Sequence, residues 1–436
     1  MVLKNKNKKT IYVPIGADII HAGHLNIINK ARKYGKVIIG LLSDKAIAEY
    51  KRLPLNNYNQ RLLIIKNLKN ISRVIKQDTW DYEKNLLQLR PNYFIHGDDW
   101  KTGVQKKTRE RVLKILKKIK GKLIEIPYTK EISSSKIINK LNIRLDKKES
   151  RVSLLKRLIS AKDIVRLLES HNALTGIIIE KLKIHKKNKL LEFDGMWSSS
   201  LTDSATRGKP DNQAVDFSTR FSGLSEILDV TTKPVLFDAD NGGRNEHISY
   251  TVRTLERLGV SGICIEDKIG SKKNSLFQNQ TGSYQDSINN FSKKINIAKK
   301  SQITNDFFVV ARIESFILGK SLKDAIKRAN AYSASGADAI LIHSKEKNPK
   351  QIFKFAKAFK KSKFYKPMIA VPSTYSKTYE KQLIKNGFKV VIYANQLLRA
   401  AYPQMLSTAK KILNNGRAYD AEKNISPINE VLNLIK

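Results

Sequence analysis

The chain has 436 residues, 41% of them hydrophobic, with 82 Lys and Arg against 39 Asp and Glu and a formal net charge of +43. That length is too great for one ordinary domain and supplies apolar residues for two cores. The excess charge is mostly lysine, spread along the whole chain among Ile and Asn in the way AT-rich codons produce. It forms no basic stripe interleaved with aromatics and no reading motif, so no nucleic-acid partner is expected.

Other classes fall away quickly. The one cysteine, Cys264, lies inside the apolar run "GICIE" and reads as a buried, inert thiol with no disulfide to make. No apolar run reaches the length of a membrane span, and no cleavage pattern follows the basic N-terminus. A soluble cytoplasmic protein with no membrane partner is the expectation.

Residues 10–140 alternate short β-branched runs ("TIYVPIG", "KVIIGLLS", "RVIKQ", "NYFIHG", "KLIEIPYT") with amphipathic helical stretches. That alternation predicts an α/β, Rossmann-like doubly wound parallel sheet, with ligands at the carboxyl ends of its strands. His21 and His24 fall where the first strand gives way to a helix. Zinc would want i,i+4 spacing and a third ligand, and no H-E-x-x-H or Cys pair is present. A phosphate suits the place better, because a helix N-terminus offers free N–H groups and the positive end of the dipole. Gly23 allows close approach, and two imidazoles three residues apart can donate to phosphoryl oxygens. Taken alone, a chance pair of helix-start histidines is the plain alternative. However, "HGDDW" (96–100) closes a later strand and "ISSSKI" (132–137) opens a later helix, with hydroxyls and N–H groups suited to a triphosphate tail. Lys45 and Arg61 supply charge.

Together these motifs resemble the nucleotidyltransferase superfamily carrying HxGH, and within it the glycerol-3-phosphate cytidylyltransferase-like branch, over roughly residues 8–142. The resemblance implies Mg²⁺-assisted transfer of CMP from CTP to a phosphate or phosphonate oxygen, with pyrophosphate released. It implies that His21 and His24 stabilise the α-phosphate transition state, that Lys45 and Arg61 bind phosphates, and that Ser133 and Ser134 hold the tail. Asp18 and Asp98 join the implied nucleotide site. Two positions depart from the branch: its "GTFD" reads "IGAD" here, with Ile15 and Ala17, and an Arg before "IS" is Tyr128, with Lys130 nearby. A catalytically silent N-terminal scaffold is the alternative these departures support.

The polar stretch "NIRLDKKESR" (142–151) marks the predicted boundary between domains 1–145 and 151–436. Beyond it, runs ending in polar residues recur: "GMWSSS", "PVLFDAD", "GICIEDK", "FFVVARIE", "AILIHSK", "MIAVPS" and "VVIYAN". With "ALTGIII" taken as a further strand, about eight parallel strands with functional groups at one end predict a (β/α)8 TIM-type barrel. Asp238, Asp240, Glu266 and Asp267 fall on neighbouring strand ends, a carboxylate group suited to a hard, hydrated cation such as Mg²⁺. Arg312 ends the next strand and can clamp a carboxylate or phosphate. The turn "WSSSLT" offers an oxyanion hydroxyls and amides, and "IGSKKNS" reads as a lid.

"WSSSLT", "FDAD", "EDKIGSKKNS", "VARIESF", "LIHSK", "VPSTY" and "VIYANQLLRA" are similar to the phosphoenolpyruvate mutase family of the isocitrate lyase superfamily. The lyase lid pattern, with its catalytic cysteine, is absent; phosphonopyruvate hydrolase is the nearer alternative. The resemblance implies interconversion of phosphoenolpyruvate and phosphonopyruvate by a homo-oligomer, dimer or tetramer. Asp238 would ligate Mg²⁺ directly, with Asp240 and Glu266 acting through its waters. Trp197, Ser199, Ser200, Leu201, Arg312 and His343 would hold substrate. Lys272, Asn274 and Ser275 would close as the lid, with Asp211 beside the migrating group. A Gly usual in the turn is Ser200 here. A fusion of this kind makes a small phosphonate, such as 2-hydroxyethyl- or 2-aminoethylphosphonate, the expected cytidylyl acceptor.

Overall fold

Five strands form the first sheet: β1 (Thr10–Ile15), β2 (Lys36–Leu42), β3 (Arg73–Gln77), β4 (Tyr93–Gly97) and β5 (Lys122–Ile126). The protein is described here by a computed structural model covering residues 9–101, 105–127, 137, 148–186, 189–277 and 279–434. The chain divides into two compact units, taken separately below. In the first, all five strands are parallel in the order β3-β2-β1-β4-β5, as the alternation predicts. β1 and β2 are almost wholly apolar because helices cover both faces of the sheet. One face packs Ile11, Val13, Ile28 and Ile39, and the other packs Tyr12, Phe94, Trp100 and Leu116. The strand order reverses between β1 and β4, so the segments after those two strands frame the crevice where such sheets bind ligands. α1 (Ala22–Ala31) starts there, capped by His21, whose Nδ1 accepts from the Gly23 N–H at 3.2 Å.

The second unit holds a closed, all-parallel barrel of eight strands. In cyclic order they are β6 (Val165–Glu169), β9 (Gly195–Ser198), β10 (Val235–Asp238), β11 (Gly262–Glu266), β14 (Phe308–Ile313), β15 (Ala339–Ile342), β16 (Met368–Ala370) and β17 (Phe388–Tyr393). A hairpin, β7 (Ile184–Lys186) with β8 (Lys189–Leu191), falls between β6 and β9 in sequence and belongs to the first unit, whereas a hairpin of the second unit, β12 (Lys268–Gly270) with β13 (Ser283–Gln285), carries the predicted lid. The sequence reading is corrected at one strand. "ALTGIII" lies in a helix, Ala173–Lys181, and the first barrel strand is Val165–Glu169. Asn172 starts that helix with a capping box, accepting from the Thr175 N–H at 2.9 Å. The true strand is masked in sequence by Arg166 and Glu169. In the fold Arg166 is paired with Glu380 at 2.6 Å, and Glu169 is hydrogen-bonded to His171 at 2.8 Å.

Arg220, 2% exposed, fixes two strand ends at the functional face: it donates to Asp238 O at 2.6 Å, Ser198 O at 3.3 Å and Asp203 Oδ2 at 2.8 Å. Cys264 is buried on β11, and burial pushes its thiol up. Among the described residues no helix is long and apolar enough to cross a membrane.

Candidate active sites

The carboxyl ends of the barrel strands enclose a small cavity of about 60 Å³. Trp197, Ser199, Ser200, Leu201, Asp211, Asp238, Glu266, Lys272, Asn274, Ser275, Arg312 and His343 line it. Every substrate and lid position expected from sequence therefore falls on one cavity, although those expected residues come from across 147 positions of chain, 197 to 343. The lid is seated. Asn274 Nδ2 donates to Asp211 Oδ2 at 2.6 Å, and Lys272 Nζ reaches Asp211 Oδ1 at 3.2 Å and also pairs with Asp240.

Ser200 joins the same charge network. Its hydroxyl donates to Asp238 Oδ2 at 3.2 Å and accepts from Lys272 Nζ at 3.3 Å. The side chain that replaces the usual glycine is thus a hydrogen-bonding group at the head of the helix Ser200–Thr206. Asp240 adopts φ +50°, a left-handed backbone that costs a non-glycine residue about 1 kcal/mol and that tends to be kept at working sites.

Charges in this buried cluster are pushed apart. Burial and the neighbouring Asp240 raise the Asp238 carboxyl. Burial raises Asp240 too, but the Lys272 ammonium, the Arg220 guanidinium and the Ser200 hydroxyl together outweigh it and the net shift is downward. Glu266 is pushed up to about 7 by burial, against the pull of Arg312 and Lys268. A carboxylate pair split in this way suits an added cation. Among the described residues no group of three His, Cys, Asp or Glu side chains is placed to hold a metal ion; a hard ion here would be held by one or two carboxylates and its own waters. Opposite, Arg312 Nη2 meets Glu266 at 3.3 Å and His343 Nδ1 at 3.2 Å, while Nε donates to Glu314 at 2.6 Å. Those contacts aim a guanidinium and an imidazole at the cavity as an anion-binding wall.

The first unit has a larger cavity, about 410 Å³, at its strand-order reversal. His21, Gly23 and His24 line it, facing Lys51, Trp80, His96 and Asp99. The two imidazole rings lie 4.0 Å apart. His21 Nδ1 accepts a backbone N–H, so its proton sits on Nε2 and is available to a ligand oxygen. Burial lowers both histidines, His24 to about 3, so both are neutral donors at neutral pH. Ala17, one of the departures noted in sequence, is buried at φ +54°.

Several nucleotide-site expectations land elsewhere. Arg61 is 0% exposed and spends its guanidinium on Gly16 O, Leu42 O, Asn56 O and Asp44. It holds the loops around the cavity and is absent from the wall. Lys45 is exposed on the short helix Asp44–Ala48, off the wall. Asp18 pins Asn56, accepting its N–H at 3.2 Å. From "HGDDW", Asp99 lines the cavity and Asp98 does not. Ser133, Ser134, Tyr128 and Lys130 lie outside the described residues.

The Phosphoenolpyruvate phosphomutase family matches residues 155–413. The chain belongs to the phosphoenolpyruvate phosphomutase family. Residues 17–140 match the Cytidylyltransferase-like family, so the mutase-family barrel is joined to a cytidylyltransferase-like domain. A phosphoenolpyruvate phosphomutase of Tetrahymena pyriformis is 35% identical over 65% of this chain and 91% of its own length. A phosphonopyruvate hydrolase of Variovorax sp. (strain Pal2) is 30% identical over 61% and 91%. Among solved structures, the phosphoenolpyruvate phosphomutase from Streptomyces platensis subsp. rosaceus superposes with a TM-score of 0.60. It is 33% identical, covering 65% of this chain and 94% of its own. A phosphonopyruvate hydrolase in complex with oxalate and Mg++ superposes at 0.56 with 27% identity, covering 66% and 94%.

Sequence reasoning missed part of each mutase-family and transferase-like wall. Ser373 and Asn395 line the barrel cavity, from the quoted segments "VPSTY" and "VIYANQLLRA"; their position at strand ends was the available signal. Lys51 and Trp80 stood in a polar stretch with no motif, and Trp80 gains its place by stacking on Tyr50, with ring centroids 3.6 Å apart.

Proposed function

We propose that the barrel isomerises phosphoenolpyruvate to 3-phosphonopyruvate and that the N-terminal domain transfers CMP from CTP to a small phosphonate. The observation carrying the first half is the charge cage under the lid, in which Lys272 and Asn274 meet Asp211 beside Asp238, Arg312 and His343. Isomerisation breaks a P–O bond and forms a C–P bond between the same two fragments, consuming neither water nor a proton. The phosphoryl group passes through a loose, metaphosphate-like state, and it must reach the enolate carbon before water does. A small cavity closed by charged lid residues supports that order of events.

Arg312 and His343 would hold the anionic ends of the substrate, with the Ser200 amide and hydroxyl at the opposite wall. Asp211 and Lys272 would sit beside the migrating group, balancing its charge and fixing its direction. Mg²⁺ held by Asp238, with Asp240 and Glu266 reached through water, would neutralise charge on enolate and phosphoryl oxygens. The oxalate and Mg++ bound in the hydrolase relative support this, since oxalate has the shape and charge of a pyruvate enolate.

For the N-terminal half, the carrying observation is the neutral His21–His24 pair opening from a helix N-terminus onto the larger cavity. Two imidazole N–H donors and Lys51 would gather charge from the α-phosphate as the acceptor oxygen displaces pyrophosphate in line. Phosphorus NMR of the protein with phosphoenolpyruvate, Mg²⁺, CTP, 2-aminoethylphosphonate and 2-hydroxyethylphosphonate tests both halves. A new C–P resonance and a phosphonyl-CMP pair are expected. Pyruvate and phosphate without a C–P signal would point to hydrolysis. No phosphonyl-CMP from either phosphonate would refute the second half.

A further inference from the structure

The reactions above use Glu266 of the "EDK" segment and leave its lysine without a role. Lys268 opens β12 and is 2% exposed. A buried ammonium is costly unless its donors are met. Two of them are met by the lid: Nζ donates to the Lys273 carbonyl at 2.8 Å and to Ser275 Oγ at 2.9 Å. Its other polar neighbours are carboxylates of the barrel, Glu314 at 3.6 Å and Glu266 at 3.9 Å. Ser275 Oγ in turn donates to Glu314 at 2.5 Å and accepts from Arg312 at 2.9 Å.

The base of the lysine is fixed from below. Asp267, its neighbour in sequence, accepts from Gln285, Arg328 and Tyr332 and from the Glu314 N–H. Lys268 therefore stands at the root of the lid hairpin, held at its base through Asp267, while its hydrogen-bond acceptors ride on the lid itself. Opening the lid takes both acceptors away and leaves the buried ammonium only the more distant Glu314 and Glu266 carboxylates.

We propose that Lys268 is a positioning residue that latches the lid shut through the Lys273 carbonyl and the Ser275 hydroxyl. Because the same hydroxyl touches Arg312, closure also sets the orientation of that guanidinium. The consequence for chemistry rests on the mutase reading: an unlatched lid lets water compete for the phosphoryl group. In that event the C–P bond of phosphonopyruvate breaks and the water oxygen forms the new P–O bond. One water proton goes to the enolate carbon and the other stays on phosphate, giving pyruvate and phosphate.

The test uses the full chain with Lys268→Met and Ser275→Ala. Amide hydrogen exchange over residues 271–277 is expected to accelerate at least tenfold in Lys268→Met, and by a smaller factor in Ser275→Ala. Exchange in β11 and β14 should stay unchanged, which a general loss of stability would not allow. With phosphonopyruvate as substrate, the ratio of pyruvate to phosphoenolpyruvate should rise at least tenfold in Lys268→Met. Unchanged lid exchange in a folded Lys268→Met protein overturns the proposal. If that variant does not fold, Ser275→Ala decides alone, and unaltered lid exchange there overturns it equally. A wild-type protein that forms no phosphoenolpyruvate from phosphonopyruvate refutes the mutase reading, while the exchange result still decides the latch.

Discussion

Asp211→Ala is the sharpest test of the closed cage. Asp211 is 8% exposed at its side chain and accepts from both Lys272, at 3.2 Å, and Asn274, at 2.6 Å. It lies before the barrel strand β10, so the substitution removes an anchor of the lid without touching the lid itself. Hydrogen bonds involving charged groups contribute about 1.5–3 kcal/mol each, and the lower end for two gives about 3 kcal/mol. At about 1.4 kcal/mol per factor of ten, the ratio of closed to open lid falls about a hundredfold. The turnover of phosphonopyruvate to phosphoenolpyruvate, followed by phosphorus NMR, should fall by up to that factor. Cytidylyl transfer in the same sample serves as the control for folding. A loss below fivefold, or an equal loss of both activities, refutes the argument that the cage is held at Asp211.

Three further outcomes follow from the N-terminal cavity. His24→Ala should abolish formation of phosphonyl-CMP while leaving isomerisation intact; equal loss of both would sink the two-site model. Arg61→Met removes the donor to three carbonyls and one carboxylate in a fully buried position, and should destabilise the N-terminal domain by about 3–5 kcal/mol. Amide exchange across β1–β5 reads that loss, whereas a phosphate ligand would change only the KM for CTP. His24 is held near pH 3 in the folded state against about 6.5 unfolded, so protons favour the unfolded chain. Its contribution is present above pH 6.5 and is lost as pH falls, amounting to about 2 kcal/mol by pH 5. A His24→Gln variant should flatten that part of the pH profile of N-terminal exchange.

The barrel and its site were largely legible because each strand ends in chemistry. Acid, Arg and His recurring at strand ends from Asp238 to His343 have no use in a purely structural sheet, and the fold brings them onto one cavity. The first strand was misplaced because hydrophobicity is a weak guide where charges are buried in pairs. Val165–Glu169 hides Arg166 and Glu169 behind Glu380 and His171, while "ALTGIII" is apolar and yet helical by virtue of its Asn172 cap. In the N-terminal unit the histidines were readable from the helix start. The charge partners were not, because a basic residue, whether on a helix like Arg61 (Tyr58–Lys66) or in a loop, carries no sign of which way its side chain turns. Arg61 turns inward to carbonyls, and Lys51 turns to the cavity.

The solitary cysteine has a practical consequence. Cys264 is 1% exposed on β11 with its thiol pushed far from the reactive thiolate, so the native chain should be silent to thiol reagents. Phe277, 63% exposed on the lid segment, can be exchanged for cysteine to give one addressable sulfur. A fluorophore or spin label there would report each opening and closing of the site during turnover, with no background to remove.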